Sequence, residues 1–136
     1  MIPAVAFGFG TMIAWGFWIV FGEVASESID PVTAAAISYL AAAVVTVAYA
    51  LLSGASLAVT GRGVAFSVLA GVAAAVGVVS TFVGVSLGST AVVSTVGGMY
   101  FVTAAVIGVV VLGESVTTTQ VVGIGLALTA LVVINL

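Results

Sequence analysis

The sequence predicts an all-α integral membrane protein with five transmembrane helices. Of its 136 residues, 64% are hydrophobic and 4% are charged, and the mean hydropathy is +1.54. Soluble domains carry roughly 25% charged residues, so this chain lacks the polar side chains that would cover a surface in water. Apolar stretches close to the length that crosses a bilayer recur five times between short polar segments. We therefore expect lipid to be the solvent of this fold.

Charged and turn-forming residues set the limits of the five spans. The first span ends at the acidic segment 23–31, where Pro31 restricts Asp30 to an extended conformation and suits the first turn of a helix. Glycines and small polar residues mark the loop 53–63, and Gly113 fits the left-handed position just after a helix C-terminus. The predicted helices cover residues 2–22, 31–52, 64–85, 91–112 and 119–136 of a single transmembrane domain, residues 1–136.

The orientation of the spans depends on Arg62, the single basic residue. The positive-inside rule places its loop in the cytoplasm and the acidic segment 23–31 on the opposite side. A bias of one arginine also permits insertion in both orientations, in which two copies would be related by an axis in the membrane plane. The first span is expected to be retained, because no basic residue precedes it and it is too long for a secretory signal.

The composition excludes several classes of function. The chain has no histidine, no cysteine and a net charge of −3. A zinc site, a thiolate nucleophile or a Ser-His-Asp triad cannot be built from it, so we expect no enzyme activity and no metal or other cofactor. One basic residue also gives no footprint for nucleic acid. The four carboxylates lie outside the middle of the predicted spans, which favours structural roles: Glu23 at a helix end, Glu27 and Asp30 in a loop, and Glu114 bonding N–H groups at the start of the fifth helix.

Aromatic and hydroxyl side chains form a stripe on the first span. Thr11, Trp15 and Trp18 follow one another at steps of three or four between Gly8 and Gly22, so they share one helix face. Such a face can contact a small molecule, whereas a tryptophan near the membrane surface can instead be an interfacial anchor. The further candidates for a solute path, on the second and fourth spans, are Tyr39, Ser94 and Tyr100.

Glycines mark candidate positions for helix packing or bending. Gly77 and Gly84 belong to a small-residue seam on the third span, which favours close approach of another helix. Gly97 and Gly98 are adjacent inside the fourth span, where each lowers helix stability by about 1 kcal/mol relative to alanine. That pair indicates either a very close neighbouring helix or a flexible point, and the sequence leaves both open.

Two stretches carry a family resemblance. Residues 14–40, AWGFWIVFGEVASESIDPVTAAAISYL, contain a Trp-Gly pair and an Asp-Pro helix start. Residues 88–136, GSTAVVSTVGGMYFVTAAVIGVVVLGESVTTTQVVGIGLALTALVVINL, contain a Leu-Gly-Glu turn followed by Gln-x-x-Gly. Together they cover more than half of the chain, and they resemble a single five-helix EamA-type unit of the drug/metabolite transporter superfamily.

The resemblance implies half of a ten-helix inverted-repeat transporter fold, because most relatives carry two such units in opposite orientation around a central cavity. A single unit would then work as a homodimer, with its two copies antiparallel. The positions that match the structural motifs of the family are Pro31, Gly113, Glu114, Gln120 and Gly123.

Two positions depart from the pattern of the family. Tyr100 is followed by Phe101 where relatives commonly have Tyr-Pro, so a proline kink is lost and the adjacent glycines Gly97 and Gly98 are the remaining source of flexibility. Glu23 stands where a basic residue often ends the first helix.

The expected function is secondary transport of small organic solutes or metabolites by alternating access in a prokaryotic plasma membrane. Membrane lipid, a small-molecule substrate and a second copy of the chain are the expected partners. The alternative is a structural or accessory membrane protein that assembles through its glycine-rich seams and transports nothing. A passive pore would need a continuous polar stripe, which the phenylalanine and isoleucine content of the first span disfavours.

Overall fold

The computed structural model describes residues 2–56 and 58–134, and the regular structure within these ranges is entirely helical. The helices are α1 (Ile2–Ser28), α2 (Pro31–Leu52), α3 (Gly61–Leu87), α4 (Thr90–Gly98), α5 (Tyr100–Leu112) and α6 (Thr118–Ile134). Four stretches are long and apolar enough to cross a membrane, namely Ala4–Ser28, Pro31–Leu52, Gly61–Leu87 and Thr90–Leu112, and α6 is a shorter apolar helix. The predicted all-helical fold is confirmed.

The chain divides into two compact units, one that ends at Leu87 and one that begins at Gly88. In the first unit, α1, α2 and α3 each contact the other two helices, and in the second unit α4 contacts α6. The core of the first unit consists of Ala34, Ala35, Val78 and Phe82, against which Trp18, Ala25 and Tyr39 pack. Large apolar side chains elsewhere are open to the surroundings, as at Phe7 (79% exposed) and Leu52 (88% exposed). Such a surface suits lipid or another apolar chain.

Helix α1 continues past the predicted end at Gly22 and stops at Ser28. The prediction that Glu27 lies in a loop is therefore wrong, and Glu23 lies inside the helix instead of at its end. The residues between Gly22 and Asp30 include no glycine or proline to interrupt the helix. The Ser26 hydroxyl donates to the carbonyl of Gly22 at 2.7 Å, so it adds no competing turn.

Asp30 starts α2 by capping it. Its φ of −54° and ψ of 131° are extended, and its carboxylate accepts the N–H groups of Val32 at 2.9 Å and Thr33 at 3.1 Å. Pro31 occupies the first helical turn, where its missing N–H has no cost. Helix α2 then covers the same residues as the predicted second span.

Helix α3 begins at Gly61, three residues before the predicted start. Arg62 therefore lies in the first helical turn, which corrects the prediction that the whole segment 53–63 is a loop. The cause is Thr60, whose hydroxyl accepts the Gly63 N–H at 3.1 Å and whose carbonyl accepts the Val64 N–H at 2.9 Å. The helix also extends two residues beyond its predicted end, to Leu87.

The predicted fourth span is interrupted at Met99, between α4 and α5. Met99 has φ −75° and ψ 7°, and its N–H donates to the carbonyl of Val96, three residues back, at 3.1 Å. The next such bond, from the Val102 N–H to the Met99 carbonyl at 2.8 Å, also closes a three-residue turn. A short stretch of tighter 3₁₀ geometry thus replaces the α-helical pattern immediately after Gly97 and Gly98.

The turn after α5 is built around Gly113, whose φ of 69° and ψ of 24° lie in the left-handed region. The N–H groups of Gly113 and Glu114 both point to the carbonyl of Gly108, with a distance of 3.0 Å for Glu114. The Glu114 side chain folds back over α5, so that a Cβ atom on Gly108 would lie 2.8 Å from its Oε2 atom. The prediction that Glu114 bonds N–H groups at the start of the last helix is therefore wrong.

Thr117 and Gln120 cap α6 instead. The Gln120 Oε1 atom accepts the Thr117 N–H at 2.7 Å, and the Thr117 hydroxyl accepts the Gln120 N–H at 3.3 Å. This reciprocal capping box satisfies N–H groups that Glu114 was predicted to meet. The helix begins at Thr118, one residue before the predicted start, and residues 135–136 of the predicted fifth span lie outside the described residues.

Candidate functional site

Four aromatic side chains lie at the core where α1, α2 and α3 pack together, and we call them the aromatic cluster: Trp15, Trp18, Tyr39 and Phe82. The Trp18 ring contacts those of Trp15 and Phe82, and Tyr39 packs against the same core. Three of the four are candidates from the sequence. In the cluster, three candidate binding residues lie next to a buried packing residue, Phe82.

Trp18 is the centre of the aromatic cluster. Its ring lies edge-on to Trp15, with 4.9 Å between centroids and 87° between planes, and 5.3 Å from the ring of Phe82. Its indole N–H donates to the Ser38 hydroxyl of α2 at 2.9 Å. Because the ring has two aromatic neighbours and a hydrogen bond at its polar end, its orientation is fixed. Trp15 is 45% exposed, so part of this indole pair is left uncovered by the described residues.

Phe82 anchors the cluster from α3. It is 2% exposed, and its ring covers the backbone of Gly22 on α1. A Cβ atom at Gly22 would lie 2.8 Å from Cζ and 2.9 Å from Cε2 of that ring, distances that packed carbon atoms do not adopt. Gly22 is therefore a close-approach position, where the missing side chain lets α1 and α3 come together.

Tyr39 connects α2 to α3. Its hydroxyl donates to the backbone carbonyl of Ala74 at 3.1 Å, and its half-buried ring packs against the buried core. Tyr39 and Trp18, which the sequence places only on separate helices, thus lie against the same core. The structure gives both side chains a partner across a helix boundary.

The other predicted path residues have local partners. The exposed Thr11 donates its hydroxyl to the carbonyl of Phe7 at 3.0 Å, and Ser94 donates to the carbonyl of Thr90, each within its own helix. Tyr100 is 64% exposed at the start of α5. Ser94 and Tyr100 belong to the second unit, whereas the aromatic cluster belongs to the first.

Most of the predicted glycine positions lack close neighbours among the described residues. A Cβ atom at Gly77, Gly97, Gly98 or Gly123 would meet no heavy atom within 4 Å, and Gly84 is half-buried. On α3 the buried face consists of Val78, Phe82 and Val85, one residue away from the predicted seam. Packing at those four open glycines would therefore have to involve something other than the described chain.

Two residues of the site, Phe82 and Ser38, were not predicted from the sequence to take part in it. The available signal for Phe82 was a match in size between two helices. Phe82 is a bulky residue four positions after Val78 on α3, and α1 has a face that contains glycine. Ser38 was identified only as a member of a face of the second span. Its role depends on the pairing of α1 with α2, which periodicity alone does not specify.

The aromatic cluster carries no formal charge. Arg62, the single basic residue of the sequence, lies at the start of α3 with its guanidinium carbon 5.8 Å from the centroid of the Phe66 ring. Glu23 is half-buried on α1, one residue after Gly22. Among residues 2–56 and 58–134, no group of three carboxylate, imidazole or thiol side chains is placed to hold a metal ion. The chemistry that the cluster offers is contact with apolar, aromatic or cationic surfaces and weak hydrogen bonding.

We predict that Ser38→Ala shifts the fluorescence emission of Trp18 to shorter wavelength and lowers the stability of the first unit by about 1 kcal/mol, because the indole N–H loses its acceptor. Trp15 and Trp18 are the only tryptophans of the sequence, so tryptophan emission excited at wavelengths that tyrosine does not absorb reports on this site alone. Ser86→Ala is the control, since its hydroxyl bonds the carbonyl of Val83 in its own helix. Equal spectra and equal thermal stability for the two variants would contradict the prediction.

Comparison with known proteins identifies the family. The model of the EamA-like transporter family matches residues 2–136, which is nearly the whole chain. The chain belongs to the EamA-like transporter family. Comparison with curated proteins and with solved structures gives no significant match.

Membership in the EamA-like family confirms the resemblance to the drug/metabolite transporter superfamily. Members of the family are membrane transporters, and the long apolar helices of the described residues are those of an integral membrane protein. Within an EamA unit of this length, the aromatic cluster belongs to the first three helices, and the interrupted helix pair α4–α5 to the last three.

Proposed function

We propose that the protein is a secondary transporter of small organic solutes or metabolites that works by alternating access as an antiparallel homodimer. The observation that carries the proposal is the match of the EamA-like transporter family to residues 2–136. The chain supplies a single unit of four long apolar stretches and one shorter apolar helix, among the residues that the structure describes. In this proposal, the second repeat that encloses a cavity is supplied by a second copy of the unit.

The aromatic cluster supports a role in solute contact. Trp15 presents an exposed indole, while its neighbour Trp18 is held in place by Ser38 and Phe82. A fixed ring beside an exposed ring forms a preorganised surface, which lowers the entropy cost of binding. Since the cluster includes no basic side chain, neutral or cationic solutes suit it better than anions.

The small size of the described core supports a dimer. The buried hydrophobic residues are Ala34, Ala35, Val78, Phe82 and Val85. Open glycines on α3, namely Gly71 and Gly77, have space for a second helix. A single arginine sets almost no orientation bias, so opposite insertion of two copies has little cost.

Uptake into proteoliposomes tests the proposal. Purified protein is reconstituted and screened with labelled sugars, amino acids and cationic dyes, and we expect saturable uptake of at least one of these classes. Trp15→Ala should lower that uptake about tenfold, because loss of an aromatic contact of 1–2 kcal/mol changes an equilibrium by about that factor. Phe9→Ala is the matched control, as Phe9 is a 59% exposed aromatic residue on the same helix.

Assembly without transport is the competing function, and the open glycines favour it as much as they favour a dimer. No uptake in any class from protein shown to be folded and dimeric would contradict the transport proposal and support an accessory role. If Trp15→Ala and Phe9→Ala reduce uptake equally, transport is supported, but the assignment of Trp15 to the solute path is contradicted. Purified protein that is monomeric yet active would contradict the dimer.

A further inference from the structure

The interruption of the fourth span lies inside the membrane. Helix α4 has 9 residues and α5 has 13, so at about 1.5 Å per residue they are about 14 Å and 20 Å long. Neither crosses a hydrocarbon layer of about 30 Å alone, whereas the continuous stretch Thr90–Leu112 does. The change in backbone geometry at Met99 therefore occurs within the hydrocarbon region.

Packing does not explain the two glycines before the interruption. A Cβ atom would meet the Phe82 ring at Gly22 and the Glu114 carboxylate at Gly108, each at 2.8 Å. A Cβ atom at Gly97 or at Gly98 would meet no heavy atom within 4 Å. The two positions have room for a side chain, so their common property is a backbone that is easy to bend.

The hydrogen bonds around Met99 already depart from the α-helical pattern. The Met99 N–H donates to the carbonyl of Val96 instead of to the carbonyl of Thr95, which a continuous α-helix would require. The Thr95 hydroxyl donates to the carbonyl of Ala91 within α4. None of the residues of α4 is buried. The α-helical ladder is thus interrupted between α4 and α5, and α4, which contacts α6, has no fully buried side chain to fix its angle.

From these observations we infer that residues 97–99 form a flexible joint, at which α4 changes its angle to α5 while the span remains in the membrane. The joint has two short helices as its arms, two unobstructed glycines as its bending point and a 3₁₀ turn in place of the α-helical bond. The joint is a property of the second unit and does not require that transport be established.

Distances between spin labels on the two arms test the joint in lipid nanodiscs. The native chain has no cysteine, so Ala91→Cys with Val110→Cys places one label on α4 and one on α5, and unlabelled native chain dilutes any contact between copies. Val68→Cys with Leu87→Cys places labels the same number of residues apart on uninterrupted α3 and is the control pair. We expect a broader distance distribution for the α4–α5 pair than for the α3 pair. Gly97→Ala with Gly98→Ala should narrow it to the width found on α3.

Each outcome decides the inference. A native α4–α5 distribution as narrow as that of α3 overturns it, as does a broad distribution that the two alanines leave unchanged. Dissociation of a native dimer by the alanines, with no narrowing, also overturns it, because the glycines would then be contact positions for a second copy. Circular dichroism establishes that the alanine variant is folded, and Gly98→Ala alone, which should narrow the distribution in part, provides the test if the double variant does not fold.

Discussion

Gly22→Leu is expected to separate α1 from α3 and to lower the stability of the first unit by about 3 kcal/mol, the upper range for overpacking a filled core. Even a Cβ atom at this position would lie within 3 Å of two ring atoms of Phe82. The ring cannot move away easily, because Phe82 is 2% exposed and packs beside Trp18. The measurement is thermal unfolding in detergent, followed by helix content and tryptophan emission.

Gly16→Leu is the matched control for this substitution. Gly16 lies on the same helix, and a Cβ atom there would meet nothing within 4 Å. The control should therefore unfold near the native temperature or slightly above it, since glycine disfavours a helix. If Gly22→Leu and Gly16→Leu shift the unfolding temperature equally, the close approach of α1 and α3 is not a feature of the folded chain.

Phe82→Ala is expected to open a cavity beneath the aromatic cluster and to lower stability by about 2 kcal/mol. The same substitution costs about 3–5 kcal/mol in soluble proteins, and part of that cost is the lost transfer of the ring out of water. This part is absent here, because the unpacked helices remain solvated by lipid. Trp18 loses the ring that lies 5.3 Å from its own. We therefore also expect faster quenching of tryptophan fluorescence by a membrane-soluble quencher.

Phe66→Ala separates this packing effect from the general loss of an aromatic ring on α3. Phe66 is 61% exposed, and its contact is with Arg62 outside the core. Its replacement should leave tryptophan quenching unchanged. A native-like quenching rate in Phe82→Ala would show that Phe82 does not support the indole pair.

The sequence predicts the fold well where a single residue controls the local backbone. Pro31 with Asp30 and the glycine at position 113 each act within one turn, and the chain bends where their chemistry requires it. The limits of α1 and α3 were harder to predict. Charged residues were interpreted as loop residues, yet Glu27 and Arg62 are compatible with a helix that continues beyond the apolar stretch.

The aromatic cluster was predicted only in part, because it depends on which helices meet. The helical repeat places Trp15 and Trp18 on one face, and composition alone draws attention to their rings. The partners of Trp18 come from two other helices, namely Ser38 and Phe82, and no periodicity within one helix identifies them. On the third span, the small residues favoured the face of Gly77, whereas the buried face is the neighbouring one of Val78 and Phe82.

The separate core of the first unit has a consequence for biosynthesis. Phe82, Trp18 and Tyr39 bring α1, α2 and α3 together without any residue after Leu87. Since a nascent chain leaves the ribosome from its N-terminus, these three helices have all their mutual contacts available while the rest is still being translated. We therefore expect α1, α2 and α3 to be able to assemble before the later helices are complete.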